Sequence, residues 1–307
     1  MKNTINFYYN IFLDELIKKD NCYYFYYGGD EYYFVPLNRP YDDVQSIYKL
    51  NLEMKKRRCL VHELVLNKDK SIITVVNGIS YVLIRLCKYK NDKVFLNDIN
   101  YIQNMTVNIE CDKSLVRNDW IKLWSEKIDY YEYQISQVGK KYPLLCDSLS
   151  YFIGMGENAI SYLVNNLDSK TNVNLVVSHK RIYQERGSLN FYDPLNFVVD
   201  SRVRDVAEFI KETFYNKTLN LYDLKAYFNM ANLNKNEYIL LLGRLLFPTY
   251  YFDIYDDIIN NGKSEELVIN IIDRTDEYES LLNTIYKFIL YEKKARLEPI
   301  EWLQDKN

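Results

Sequence analysis

Residues 174–212 constrain the fold of this chain more than any other stretch, because short apolar runs there lead directly into charged and polar residues. The first apolar run, 175–177, leads into His179, and the second, 189–192, leads into Asp193. An amphipathic helix follows, in which apolar residues recur at helical spacing. We therefore predict a buried hairpin of two strands, with polar side chains at its tip and a helix packed behind it.

This stretch resembles the catalytic core of the aminoglycoside phosphotransferase and choline kinase group, and is most similar to its spore-coat (CotS-type) branch. His179 matches the His of the family's His-x-Asp catalytic loop, Asp193 matches the metal-binding Asp, and Asp205 matches the Asp at the start of the next helix. Asp193 and Asp205 are 205 − 193 = 12 positions apart, which is about the separation in the family. Residues 151–160 and 250–255 are also similar to the spore-coat branch, so the resemblance covers nearly the whole chain.

The resemblance implies an α+β fold, the two-lobed protein-kinase-like (aminoglycoside phosphotransferase-like) fold. A small antiparallel β-lobe, residues 1–100, would contain a helix, about five strands and a second helix. A larger, mainly helical lobe, residues 101–307, would carry the catalytic hairpin at 175–205. The residue pattern agrees with this division, since alternating apolar runs and the turn residues Gly28 and Gly29 indicate a hairpin near the N-terminus.

Hydrophobic periodicity places the other elements. Apolar residues at helical spacing predict helices over residues 4–19 and 41–58, and again over 119–138 and further along the chain. Residues 92–118 are less regular, and we place the hinge between the lobes there.

Several parts that the family uses for phosphoryl transfer are replaced. Arg181 stands where the family has its catalytic-base Asp, and an arginine side chain stays protonated and cannot accept a proton. The predicted loop is several residues short, and Asn190, the nearest candidate for the metal-binding Asn, lies inside the second predicted strand. The strand that should carry the phosphate-contacting Lys has Pro36 in that neighbourhood, and Arg39 is the nearest cation.

Gly28 and Gly29 stand where the family has the loop that covers the phosphates. With Arg39 they are the candidate nucleotide-contacting residues. The same glycine pair is also what a plain hairpin turn requires, so both interpretations stay open.

The first function compatible with this pattern is that of a catalytically inactive kinase-like protein, a pseudokinase, acting through an unknown protein partner. Spore coat assembly is the process that the resemblance implies. Of the family's lysine, base, metal-binding Asn and metal-binding Asp, this chain retains only Asp193, so no cofactor is expected.

The second function is that of an atypical small-molecule phosphotransferase, which would transfer phosphate from ATP to an alcohol group. Asp193 would then bind Mg²⁺, and Glu185 or Asp200 would accept the hydroxyl proton.

The third function is that of a binding module for a small anionic ligand in the cleft between the lobes. Four basic residues around the hairpin tip form a positive cluster, namely His179, Lys180, Arg181 and Arg186. A buried histidine that holds the loop explains His179 equally well.

Charge and composition exclude other classes. The net charge of −3 argues against a nucleic-acid partner. The sequence has no signal-peptide pattern and no apolar run long enough to span a bilayer, so we expect a cytoplasmic protein with no membrane partner. Five cysteines without C-x-x-C spacing indicate reduced thiols, and two histidines are too few for a His-based zinc site. The oligomeric state is left open.

Arg244 lies within a segment, 237–247, that is apolar nearly all round and is predicted to be a core helix. A buried arginine needs an ion-pair partner. Asp205 and Glu157 are the candidates for that structural pair, and Glu157 is accordingly predicted to be partly buried.

Overall fold

The computed structural model describes residues 1–89, 91–168 and 173–304. These residues form two compact units. The first unit contains Met1–Arg117 and Asn174–Asp200, and the second contains Asn118–Val173 and Ser201–Asn307. The predicted boundary between lobes near residue 100 stays a proposal, because a compact unit and a kinase-like lobe are different divisions of a chain.

Helices dominate the described part of the chain. They are α1 (Lys2–Tyr9), α2 (Tyr41–Lys56), α3 (Leu96–Met105), α4 (Trp120–Val138), α5 (Pro143–Asn166), α6 (Gly187–Phe191), α7 (Val203–Tyr215), α8 (Leu221–Ala231), α9 (Lys235–Leu246), α10 (Thr249–Asn261), α11 (Ile269–Ile272), α12 (Thr275–Tyr291) and α13 (Glu301–Gln304). No helix in the described residues is both long enough and apolar enough to cross a membrane.

The first unit is built on an antiparallel sheet. Its described strands are β1 (Ile17–Lys19), β2 (Cys22–Tyr27), β3 (Asp30–Pro36), β4 (Glu63–Val65), β5 (Ile73–Val76) and β6 (Ile79–Arg85). They are ordered β1-β2-β3-β6-β4, and β5 also pairs with β6. Gly28 and Gly29 form the β2–β3 turn at φ 59° and 83°, which glycine adopts without a Cβ clash. The predicted hairpin and its turn residues are confirmed.

One face of this sheet packs on α1. Ile5, Phe25, Phe34, Tyr81 and Leu83 are buried together there, and the rings of Phe34 and Tyr81 stack with centroids 4.8 Å apart. Helix α2 buries an apolar stripe at helical spacing, which consists of Val44, Ile47, Leu50 and Met54. Burial of these two apolar surfaces stabilises the unit.

The N-terminal helix is shorter than predicted. Helix α1 ends at Tyr9, where Asn10 adopts a left-handed conformation (φ 53°), and Ile17–Lys19 pairs with β2 as strand β1. Asparagine tolerates that conformation better than most residues and so can end a helix. The helix prediction beyond residue 9 was wrong, because strand pairing outweighed the helical spacing of a few apolar residues.

The segment expected to be an irregular hinge contains a regular helix, α3. The Asp98 carboxylate caps it by accepting a hydrogen bond from the backbone N–H of Phe95 over 2.9 Å. The prediction of irregular structure was therefore wrong over residues 96–105.

Strands β7 (Leu175–His179) and β8 (Phe197–Ser201) form a separate two-stranded sheet. The backbone N–H of Lys180 donates to the carbonyl of Asn196 over 2.8 Å, so the end of β7 meets the start of β8 and the strands are antiparallel. The second strand of the predicted hairpin was placed at 189–192, and that placement was wrong. Those residues lie at the end of α6 and just beyond it, since a short apolar run suits a buried helix as well as a strand.

The second unit is helical, and α9 is buried along its whole length except at Lys235, as predicted for a core helix. Arg244 on α9 is buried, and its Nε donates to Glu208 Oε1 over 3.0 Å. Glu208 on α7 is thus an ion-pair partner that the sequence did not suggest. Glu157 is exposed on α5, so its predicted burial was wrong. Asp205 is buried in the first turn of α7, and its pairing with Arg244 stays a prediction.

Candidate functional site

The candidate site is the loop that joins β7 to β8 in the first unit. It runs from residue 180 to residue 196 and so has 197 − 179 − 1 = 17 residues. The loop is longer than the predicted hairpin implied, because the second strand begins later than the apolar run at 189–192 suggested. Two single 3₁₀ turns and the short helix α6 fold this loop onto itself.

His179 stands at the end of β7 and is completely buried. Its Nε2 lies 2.7 Å from the carbonyl oxygen of Phe191, which requires the ring to donate there. The ring also stacks on Phe191 with centroids 4.4 Å apart. Through these contacts His179 links the end of β7 to the end of α6. A catalytic role for His179 stays a prediction.

Arg181 also bonds to the backbone of the loop. Its Nη1 donates to the carbonyl of Lys180 over 2.7 Å, and its own carbonyl accepts from Asn196 Nδ2 over 3.0 Å. Asn196 is a loop residue that sequence reasoning missed. Its position just before β8 became visible only once β8 itself was located.

Asp193 caps the short 3₁₀ turn before β8, since its Oδ1 accepts from the backbone N–H of Leu195 over 2.9 Å. Burial raises the pKa of Asp193 to about 6, although that hydrogen bond and the positive charges of Arg39, His179 and Lys180 act in the opposite direction. Asp193, Arg39, His179 and Lys180 therefore lie close enough to interact electrostatically, and a metal-binding role for Asp193 stays a prediction.

Arg39 lies between β3 and α2, not on a strand. Its Nη2 donates to the carbonyl of Phe197, and its Nη1 lies 3.5 Å from Asp43 Oδ2. Burial lowers the pKa of Arg39 to about 10, because the guanidinium side chain is only 1% exposed. Burial and the nearby Arg39 charge also lower the pKa of Lys180 to about 8. Arg39 therefore ties the start of α2 to the start of β8.

The other predicted site residues lie elsewhere in the unit. Glu185 is exposed and pairs with Lys93 over 3.0 Å. Asp200 is buried near the far end of β8, roughly 10 Å along the strand from its first residue at a rise of about 3.3 Å per residue. Because the strands are antiparallel, Asp200 lies by the start of β7 and not beside His179. Gly28 and Gly29 form an open turn with free space around both Cα atoms, and their phosphate contact stays a prediction.

A second feature of the loop is the segment 184–192, which we call the strap. It lies along the β6–α3 segment, whose described residues are 86–89 and 91–95. The N–H of Val94 donates to the carbonyl of Gln184 over 3.1 Å. Asn91 and Ser188 exchange two bonds, from Ser188 N–H to the Asn91 carbonyl (2.8 Å) and from Asn91 N–H to Ser188 Oγ (3.1 Å).

Gly187 permits this close approach. It has φ 51° and ψ −151°, a conformation almost restricted to glycine, and a Cβ built on it would lie 2.1 Å from the carbonyl oxygen of Asn91. Any other residue would push the strap away from the β6–α3 segment.

His62 forms hydrogen bonds with both the strap and the β6–α3 segment. Its backbone N–H donates to the carbonyl of Tyr192 over 3.0 Å, and its Nε2 donates to the carbonyl of Leu189 over 3.2 Å. Its Nδ1 accepts from the backbone N–H of Cys87 over 3.1 Å, which fixes the neutral tautomer. Sequence reasoning considered His62 only as a zinc ligand and missed this role.

A cavity of about 420 Å³ lies between the strap, the β6–α3 segment and strands β2 and β3, entirely within the first unit. Tyrosines and carboxylates share its walls. In the described residues no three His, Cys, Asp or Glu side chains are placed to hold a metal ion.

The family assignment comes from the sequence. A model of the family described as "Spore coat putative kinase YutH" matches residues 2–285 of this chain. The chain belongs to this spore coat family. Within the YutH family, the endospore coat-associated protein YutH of Bacillus subtilis (strain 168) is 30% identical over 207 residues. The match covers 60% of this chain and 61% of the B. subtilis protein, somewhat less than two thirds of its length.

Solved structures show the fold that this YutH-family chain shares. An aminoglycoside phosphotransferase from Alicyclobacillus acidocaldarius has a TM-score of 0.64 at 10% identity, covering 92% of this chain and 94% of that one. A choline/ethanolamine kinase family protein from Mesorhizobium loti has a TM-score of 0.53 at 11% identity, covering 87% of each chain. The predicted α+β, aminoglycoside phosphotransferase-like fold is confirmed.

Proposed function

We propose that this YutH-family chain is a kinase-like spore coat protein that does not transfer phosphate and that acts through contacts with a protein partner. One observation carries the proposal. The three side chains that match the family's catalytic-loop His, its catalytic base and its metal-binding Asp each hydrogen-bond to the backbone of the β7–β8 loop: His179 to Phe191, Arg181 to Lys180, and Asp193 to Leu195. Groups used in this way stabilise a loop.

The charges at these positions also oppose phosphoryl transfer. The reaction needs a carboxylate to accept the hydroxyl proton, and Arg181 stays protonated. It also needs oxygen ligands for Mg²⁺. Asp193 instead lies near Arg39 and Lys180, whose positive charges would repel a bound Mg²⁺ ion. The residues present therefore do not fit an ATP–Mg²⁺ complex.

The strap supports the same conclusion. A nucleotide base is recognised through polar groups that line a pocket, among them backbone N–H and C=O groups. In the β6–α3 segment, the N–H groups of Asn91 and Val94 and the carbonyl of Asn91 already bond to the strap. A base at these positions would first have to displace Ser188 and Gln184.

Neither carboxylate proposed as an alternative base supports a phosphotransferase. Glu185, on the strap, pairs with Lys93 of the β6–α3 segment, and Asp200 lies near the far end of β8. A protein partner agrees with the name of the B. subtilis relative, an endospore coat-associated protein.

A thermal-shift titration with ATP, with and without Mg²⁺, tests the proposal. A ligand that binds only the folded state raises Tm by mass action. We expect no magnesium-dependent rise at millimolar ATP for wild type, for Asp193→Asn or for the surface control Asp42→Asn. A magnesium-dependent rise in wild type that Asp193→Asn abolishes and Asp42→Asn preserves would overturn the proposal.

A second test addresses the partner. In a spore-forming host without its own copy of the gene, Asp193→Asn and Arg181→Gln should associate with the coat as wild type does. Loss of coat association by both variants, at unchanged levels of folded protein, would contradict a function that does not depend on the family's catalytic positions.

A further inference from the structure

Strand β1 lies at an edge of the antiparallel sheet in the first unit. It pairs with β2 on one side and with no other strand in the part of the chain that the structure describes. All of its residues, Ile17–Lys19, are exposed. Because an edge strand keeps a row of backbone N–H and C=O groups without sheet partners, β1 can accept one further strand.

The charges along this edge have opposite signs at its two ends. Residues 14–19 read Asp-Glu-Leu-Ile-Lys-Lys, with two acids before and two bases after a pair of apolar residues. The four charged side chains are exposed, and none of them forms an ion pair with another described residue. The ammonium group of Lys2 donates to the backbone carbonyl of Asp14 over 3.0 Å and not to its carboxylate. The whole charge order therefore lies within six consecutive residues and is available to a new neighbour.

An antiparallel second copy of this segment has the complementary charge order. It would place the acidic half of one copy beside the basic half of the other, whereas a parallel copy would place like charges side by side. Because hydrogen-bonded and non-hydrogen-bonded pairs alternate along antiparallel strands, a symmetric pairing can centre on Ile17. In that register Glu15 lies opposite Lys19 of the second copy. Asp14 lies at a bend and Asp20 lies in the turn to β2, so the paired stretch ends before these two carboxylates meet.

The apolar side chains on one face of the sheet support the same register. Ile17 lies opposite Tyr24 of β2, and Tyr24 lies opposite Tyr33 of β3. The two tyrosine rings stack with centroids 4.4 Å apart, while Ile17, at the end of this row, is 54% exposed. A copy related through Ile17 would place the two isoleucines against each other and continue the row into the second sheet. Cross-strand contacts of this kind stabilise a sheet.

We propose that β1 pairs in antiparallel orientation with β1 of a second copy of this chain, which joins the two six-stranded sheets into one. The interface is isologous, since the same edge serves both copies. It is also small, so the dimer dissociates on dilution. The proposal does not depend on the proposed function, because β1 contains none of the positions of the β7–β8 loop.

Sedimentation equilibrium of the full chain over a concentration series tests the proposal. We expect the mass of wild type to rise from that of a monomer to that of a dimer. The double variant Asp14→Lys/Glu15→Lys has only bases in this segment, and Lys18→Glu/Lys19→Glu has only acids. Each should weaken self-association at least about tenfold, because like charges then lie across the strand pair.

An equimolar mixture of the two double variants provides the sharpest test. Each acidic segment can then pair with a basic one, so the mixture should dimerise about as readily as wild type. Circular dichroism before mixing checks that both variants are folded. Ile17→Thr keeps a β-branched residue but removes an apolar contact, and it should also weaken the dimer. The control is Asp42→Lys, which reverses an exposed charge on α2 and should leave association unchanged.

Three results would overturn the proposal. A monomer at every concentration would leave this edge either protected by Lys18 and Lys19 or open to a strand of another protein. Dimers that both double variants retain, or that the mixture of folded variants does not restore, would assign self-association to another surface. Equal weakening by Asp42→Lys would show an effect of net charge that is not specific to β1.

Discussion

The backbone N–H of Cys87 donates a hydrogen bond to Nδ1 of His62 over 3.1 Å, so a buried imidazole joins the β6–α3 segment to the strap. Protonation of Nδ1 would remove the acceptor, and burial lowers the pKa of His62 from 6.5 to about 4. The unfolded chain therefore takes up this proton at a higher pH than the folded chain. Stability from this group is complete above pH 6.5 and declines as the pH falls toward 4.

The variant His62→Asn should be less sensitive to acid. Its side-chain oxygen can replace Nδ1 as the acceptor for Cys87 and does not titrate. We expect wild type to lose about 3 kcal/mol through this group between neutral pH and its folded pKa. Urea unfolding at stepped pH measures the loss, and identical pH profiles for the two proteins would refute the assignment to His62.

Asp193 has the opposite pH dependence. Burial raises its pKa from 3.8 to about 6, so the folded state binds the proton more tightly than the unfolded state. The group stabilises the fold most below pH 3.8, and this contribution is lost as the pH rises through 6. Asp193→Asn keeps the oxygen that accepts from Leu195 and cannot ionise. It should be more stable than wild type by about 2–3 kcal/mol above neutral pH, with the difference vanishing in acid.

Chemical denaturation of both proteins at the two ends of this pH range measures the effect. Asp42→Asn serves as the matched control, because Asp42 is exposed on α2. If Asp193→Asn is less stable than wild type at high pH, then Asp193 gains more from Arg39 and Lys180 as an anion than burial costs it.

Gly187 should be among the least replaceable residues of the strap. A Cβ there would lie 2.1 Å from the Asn91 carbonyl oxygen, and the backbone conformation is almost restricted to glycine. We expect Gly187→Ala to cost at least about 3 kcal/mol in urea unfolding, because both the strain and the clash must be relieved. Gly28→Ala is the control, since Gly28 also has positive φ but open space around it, and it should cost about 1 kcal/mol. Equal costs would show that the contact with Asn91 is unimportant.

The sequence predicted the sheet well because local chemistry determines its turns. Gly28 and Gly29 supply the positive φ that a tight hairpin needs, and the flanking apolar residues alternate. The run at 189–192 was misassigned because four residues, three of them apolar, carry no periodicity that separates a strand from a helix. That single error also displaced β8 and hid Asn196.

The strap was beyond prediction for a different reason. Asn91 and Ser188 are 97 positions apart, and their contact uses backbone groups and a hydroxyl that any of many residues could offer. Gly187, the only glycine between the two apolar runs, was the one sequence feature that could have indicated this contact. A glycine indicates a close approach only when the neighbouring backbone, here that of Asn91, is known. The sequence predicted that Arg244 pairs with a carboxylate, since a buried arginine needs one. It did not predict that Glu208 is such a partner.

Replacing only one partner of the Arg244–Glu208 ion pair should lower the free energy of unfolding. Both side chains are buried, and Lys211 lies 3.7 Å from the same Glu208 oxygen. Arg244→Met would leave the Glu208 carboxylate buried with less compensation, so we expect a loss of about 3 kcal/mol in unfolding free energy. Arg244→Met combined with Glu208→Gln should recover part of that loss, because the uncompensated charge is gone.

The control is Lys122→Met, which removes an exposed partner of Glu126 at 4.0 Å and should cost no more than about 0.5 kcal/mol. If Arg244→Met costs no more than this control, the pair contributes nothing to stability and the buried arginine is held by its contacts with the Trp120 and Trp124 rings instead.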